Sequence, residues 1–169
     1  MKIYNFWKSV THEIIFPAQL AFGVFWLNLF GDRQYCKALK ENIKTLPENT
    51  LGKHLWHLLD AKKIDFVPWY QPHDLKHALL GYKMEAGDEM KMQAFMFGNA
   101  GFSVFVSVVF LMVVIWTPDV WPELPYHYRV GKLTKPIADW KVEEVIHLDL
   151  EELRQGIGLY EAREKAILN

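Results

Sequence analysis

The stretch W69-YQPHDLKHALLGYKMEAGDEMKM-Q93 reads as two helices joined by a turn, and both the fold and the site depend on it. Pro72 suits the first turn of a helix, where its missing N–H costs nothing, and Asp74 suits the positive end of the helix dipole. Gly81 is a natural stop for that helix. His73 and His77 stand four residues apart, so their rings project from one face, and Asp74 can lean to the same side. A helix N-terminus disfavours a protonated His73, and a neutral imidazole is what a metal ion needs. Glu89 cannot join this group along a continuous helix, because twelve helical residues would carry it about 18 Å from His77. The segment Gly81–Asp88 contains two glycines and can turn the chain back. Glu89 would then open the next helix, antiparallel to the first and facing the histidines. The resulting set, two nitrogens and up to two carboxylates, suits zinc, iron, manganese or cobalt. Two histidines and a carboxylate with open positions are also the ligand type of non-haem iron oxygenases. Spacing alone leaves a second reading open, in which Asp74 favours the helix start, the histidines are solvated and Glu89 is an ordinary first-turn acid.

Working outward, the chain of 169 residues is long enough to bury a core as one domain. Few segments alternate with period two, so the expected class is all-α: a single compact helical domain over 1–169 with long apolar helices. Arg33 to Leu46 reads as a polar helix stopped by Pro47. Thr50 is the expected cap of the next, whose Leu51, Leu55, Leu58 and Leu59 form one stripe. Pro118, Pro122 and Pro125 mark a loop, and the tail from Asp139 reads as helical with a break near Gly156 and Gly158. The first residues carry Ile3, Phe6, Trp7, Val10 and Ile14 at helical spacing, a pattern for a core-packing or membrane-surface helix.

Two segments, Ile14–Gly31 and Met92–Pro118, carry no charge. The second is long enough to span a bilayer, since about 20 apolar residues suffice. Buried or lipid-contacting helices are the preferred expectation for both, with two membrane spans as the alternative. Gly98, Asn99 and Gly101 weaken the start of the second segment as a helix. A net charge of −1 gives no basic face, and no nucleic-acid partner is expected. Cys36 is the only cysteine, which excludes an internal disulfide and fits a reducing compartment. The N-terminus does not read as a secretory signal: Glu13 and Pro17 interrupt it.

The residues HDLKHALLGYKMEAGDE resemble the HDxxH-x11-E motif of the coenzyme Q (ubiquinone) biosynthesis family, the fourth-numbered of the Coq series. His73, Asp74, His77 and Glu89 stand at the family spacing, and Leu79, Leu80 and Gly81 fit its continuation. The tail ADWKVEEVIHLDLEELRQGIGL is similar to the family ending, so the resemblance runs from Trp69 to Leu159. One departure stands beside the motif glutamate: the family's glycine is displaced to Gly87, and Asp88 intervenes.

The resemblance implies a metal-binding, helical protein of ubiquinone or related quinone biosynthesis that handles long isoprenoid lipids. His73, Asp74, His77 and Glu89 would hold a divalent metal, with zinc the first choice and iron, manganese or cobalt compatible. The role would be oxidative decarboxylation at C1 of a prenylated benzoate ring, or organising and presenting lipid intermediates to a biosynthetic complex. The 92–116 helix would line the prenyl channel. Expected partners are an isoprenoid or quinone-precursor lipid, the membrane surface, other quinone-biosynthesis proteins and a second copy of the chain. The expected location is peripheral, on the cytoplasmic side of a membrane, with an integral arrangement as the alternative. Arg129 and Lys132 are candidates for contacting a phosphate or lipid head group. A different reading, an HD-type metal phosphohydrolase, would recruit His54 or His57 and Asp119.

Overall fold

A computed structural model describes residues 31–100 and 118–168, with scattered positions before them. Helix α1 (Arg33–Lys44) starts where Asp32 Oδ1 accepts the Tyr35 N–H at 2.9 Å, and it buries Cys36, Leu39 and Ile43 along one stripe. Helix α2 (Leu51–Lys62) is capped by Thr50, whose hydroxyl accepts the Lys53 N–H. It turns Leu51, Leu55 and Leu59 inward, with Leu58 packed on the edge of the same core. Both helices match the sequence expectation, because cap and stripe are local signals.

Helix α3 (Gln71–Leu80) has Pro72 in its first turn and ends at Gly81, which takes φ 73° and returns its N–H to the His77 carbonyl. Helix α4 (Ala86–Ala100) follows after five residues. The turn is therefore made by residues 81–85, and Gly87 lies inside α4 rather than in the reversal. A short 3₁₀ turn, Pro118–Glu123, leads into α5 (Leu124–Leu133), which has Pro125 in its first turn. The proline-marked loop expected here thus gives way to a helix. Proline fits a first helical turn as well as a loop, and the sequence alone does not separate the two. Three helices complete the chain: α6 (Val142–Val145), α7 (Leu150–Gly156, capped by Asp149) and α8 (Leu159–Leu168).

The architecture is all-α, with no strand among the described residues. One hydrophobic core draws on residues from α1 to α8, including Ile43, Leu55, Leu75, Phe95, Ile137, Leu150 and Leu159. Helices α4 and α5 cross with backbones touching: a Cβ on Gly98 would lie 2.1 Å from the Tyr128 carbonyl oxygen, and one on Gly131 2.0 Å from that of Phe95. Asn99 seals the crossing. Its Nδ2 donates to the carbonyls of Gly131, Thr134 and Lys135, and its Oδ1 accepts from the Ile137 N–H. Gly98 and Asn99 therefore stand inside a continuous helix, where small size and a short amide are what the neighbour requires.

Met92, Phe95 and Met96 are buried, so the described part of the second apolar segment is a core helix. Residues 101–117 of it, and most of 14–31 and of the N-terminal amphipathic stretch, lie outside the described residues. No helix among the described residues is long and apolar enough to cross a membrane.

Candidate metal centre

His73 and His77 leave α3 one turn apart and meet Glu89 from the first turn of α4. The Glu89 carboxylate reaches both rings: Oε1 is 2.8 Å from His73 Nε2 and Oε2 is 2.9 Å from His77 Nε2. Potential ligand atoms of these three residues all lie within 4.8 Å of one another, the sole such group of metal-ligating type among the described residues. His54, His57 and Asp119 do not join it; His57 instead pairs with Glu48 at 2.9 Å. The chain reversal expected from the sequence is present, and it closes the gap that a continuous helix would leave.

The surroundings fix which ring atoms face inward. His77 Nδ1 lies 3.3 Å from the Tyr82 carbonyl oxygen, which can only accept, so Nδ1 carries a proton and Nε2 is turned to Glu89. His77 is 2% exposed and the Glu89 side chain 13%. The Tyr70 ring lies against that of His73, with centroids 4.1 Å apart. Asp74 stands on the far side of His73, 3.5 Å from Nδ1, a charge contact beyond hydrogen-bonding distance. It is thus placed behind a ligand candidate rather than among the converging atoms, and His73 Nδ1 is buried without a hydrogen-bond partner. Asp88 also faces away: its Oδ2 accepts the Lys83 N–H at 2.8 Å, and Oδ1 lies 3.6 Å from Lys91 Nζ. The acid that interrupts the family pattern pins the turn.

Two imidazole nitrogens aimed at one enclosed carboxylate place lone pairs against lone pairs, unless something positive stands between them. Protons can fill that role. Burial opposes a charged His73, but the Glu89 and Asp74 carboxylates outweigh it and raise the imidazole to about 9. Burial likewise opposes a charged Glu89, and the His73 charge and the bonds from both rings outweigh it, holding the carboxyl well below its ordinary range. A divalent cation fills the same role with one ion instead of two protons. The donors fit one: two borderline nitrogens and a hard oxygen, one ring fixed by an outer carbonyl and the other backed by Asp74.

Three residues absent from the sequence expectation support the site. Gln93, one turn after Glu89, donates from Nε2 to Glu89 Oε1 at 2.7 Å. Its signal was the i, i+4 spacing from the glutamate. Arg154 secures the other end of α3, with Nε donating to the Leu79 carbonyl at 2.8 Å and Nη2 to that of Ala78 at 3.1 Å. Arg163 donates to the carbonyl of Leu80. These guanidinium groups satisfy the terminal carbonyls and oppose the dipole of the helix that carries both histidines. The head-group candidates lie elsewhere. Arg129 Nη2 donates to the Ala166 carbonyl near the end of α8, and its Nε is buried without a partner. Lys132 is exposed, its ammonium 5.9 Å from the Tyr128 ring centre.

No family model matches the chain. Over 140 aligned positions, covering 69% of this chain and 43% of the relative, it is 21% identical to the ubiquinone biosynthesis protein COQ4, mitochondrial, of Candida dubliniensis. The chain therefore spans less than half the length of that curated relative. Among solved structures, it is similar to the crystal structure of a Nostoc punctiforme protein described as a candidate ubiquinone biosynthesis protein. The TM-score is 0.59 at 21% identity, covering 71% of this chain and 67% of the other. At that identity the likeness is one of fold.

Proposed function

We propose that this chain is a metal-binding, prenyl-lipid-handling protein of ubiquinone or related quinone biosynthesis. The observation that carries the metal site is the convergence of His73 Nε2, His77 Nε2 and the Glu89 carboxylate in a largely buried cluster whose facing lone pairs call for positive charge. The two similarities support the pathway, since both name ubiquinone biosynthesis. In this reading the three side chains hold a divalent ion, zinc by the resemblance and iron, manganese or cobalt by donor type. Asp74 acts on His73 from behind. Bound there, the ion supplies a Lewis acid for a ring carboxylate or a redox centre for oxidative decarboxylation at C1 of a prenylated benzoate. The protein's own part is to hold the donors in place and limit water: Arg154 fixes the C-terminal end of α3, and Tyr70 covers the His73 ring. Whether the chain carries out that reaction or presents the lipid to other quinone-biosynthesis proteins, the same site anchors the polar ring. Peripheral attachment to a membrane, self-association and a head-group contact by Lys132 belong to the same proposal.

Elemental analysis and lipid mass spectrometry on the purified wild type and a His73→Ala/His77→Ala variant test it. The wild type is expected to carry about one equivalent of divalent metal that the variant lacks, together with an isoprenoid or quinone precursor. Equal metal in both would sink the ligand assignment. Absence of any bound prenyl lipid, with phosphodiester hydrolysis in its place, would move the chain to the phosphohydrolase class.

A further inference from the structure

Gln93 is 6% exposed, and its amide lies against the donor set. Nε2 is 2.7 Å from Glu89 Oε1, close to the 2.8 and 2.9 Å that separate the histidines from the carboxylate, and 3.4 Å from His73 Nε2. Gln93 follows Glu89 by one helical turn, so both side chains leave the same face of α4. An amide sunk this deep beside two imidazoles and a carboxylate is expensive to keep unless its polar atoms are used. Its nitrogen is used, on Glu89.

The last torsion of a glutamine side chain is soft and roughly two-fold, so half a turn exchanges Oε1 and Nε2 at nearly the same place. Charge decides which atom faces in. Beside a bare carboxylate the amide presents nitrogen, because two oxygens repel. Beside a cation the preference reverses, because the carbonyl oxygen is the negative end of the amide dipole.

We propose that Gln93 Oε1 is the fourth protein donor to the cation held by His73, His77 and Glu89. The inference rests on the metal-site reading above and gives the fourth position to a residue other than Asp74. Two imidazoles, one carboxylate and one neutral amide close a tetrahedral ion such as zinc, and leave two positions on a six-coordinate one. The direct donors then include a single carboxylate, Glu89, while Asp74 sets a second negative charge behind His73.

The test uses the full chain loaded with Co²⁺, read by its ligand-field absorption, by X-ray absorption of the metal's first shell, and by competition with a chelator for affinity. Gln93→Leu is expected to lose one oxygen from the shell, shift the absorption bands and bind about 10–100-fold more weakly. Gln93→Asn keeps the amide but withdraws it by one methylene, and it is expected to show the same loss, which covers the case in which the leucine variant does not fold. Gln93→Glu is expected to keep the coordination number and bind more tightly than wild type. Wild-type bands, shell and affinity in a folded leucine or asparagine variant would overturn the assignment while leaving the three-residue site standing. Failure of the wild type to bind Co²⁺ or Zn²⁺ at all would remove the metal-site reading and this inference together.

Discussion

Tyr82 connects the histidine-bearing helix α3 to His127. Its carbonyl takes the His77 proton, and its hydroxyl lies 2.7 Å from His127 Nδ1 on α5. Burial, followed by the nearby charge of Lys91, pushes the His127 imidazole down to about 4, so the ring is neutral and Nδ1 accepts from the phenol. The unfolded chain takes up this proton near pH 6.5, whereas the folded chain resists it until about pH 4. Stability from this residue is therefore complete above pH 6.5 and is lost as pH falls from there to 4, by about 1 kcal/mol once partial exposure is allowed for. An NMR titration of the imidazole is expected to give a midpoint near 4, rising in Tyr82→Phe. A wild-type midpoint above 6 would contradict the arrangement. At this scale the sequence showed what helical spacing can show. The His73 and His77 pair was visible because i and i+4 share a face. Asp74, three residues before His77, stands 3.5 Å behind His73 Nδ1, a placement that helical spacing alone leaves open. Gln93 was missed because an amide joins a donor set only when its surroundings orient it.

Between elements, the crossing of α4 and α5 turns two glycines from apparent weaknesses into requirements. An alanine Cβ at Gly98 or Gly131 would run into main-chain oxygen at 2.1 and 2.0 Å, and neither backbone can yield without separating the helices. Gly98→Ala and Gly131→Ala are each expected to cost roughly 3 kcal/mol or more, read from denaturation midpoints. Gly156, at the end of α7, meets nothing within 4 Å. Its alanine variant is expected to be neutral or to gain up to about 1 kcal/mol from helix propensity. Equal losses at all three positions would mean that propensity rather than contact governs them. In isolation Gly98 and Asn99 lower helix propensity, and the partner surface outweighs that signal; Pro125 needs no partner, since a first helical turn accepts it as readily as a loop does. Caps and apolar stripes need no partner, which is why α1 and α2 were legible.

Across the whole molecule, the end of the chain holds the middle in place. Thr50 and Asp149 pair as an isolated bridge, Asn49 Nδ2 donates to Asp149 Oδ2 at 2.7 Å, and the Leu51 N–H reaches the Leu148 carbonyl at 2.9 Å. Arg154 then spans to α3. Arg154→Met keeps much of the side-chain volume but strands two carbonyls, and is expected to cost about 1–3 kcal/mol. It should also weaken metal binding, although residue 154 touches no ligand. Unchanged affinity would show that α3 holds its histidines without this anchor. The class of fold was legible at this scale, because periodicity alone makes the chain helical. The docking of the tail on α3 was not, since a contact across 75 residues leaves no local pattern. There is also a consequence in time. During synthesis, at roughly 5–20 residues per second, Arg154 follows Leu79 by about 4–15 s. Through that interval the helix bearing both histidines has its last carbonyls unanchored. On the ribosome the anchored pocket therefore exists only once residue 154 has emerged, and any ion it takes before then meets a helix end still unanchored.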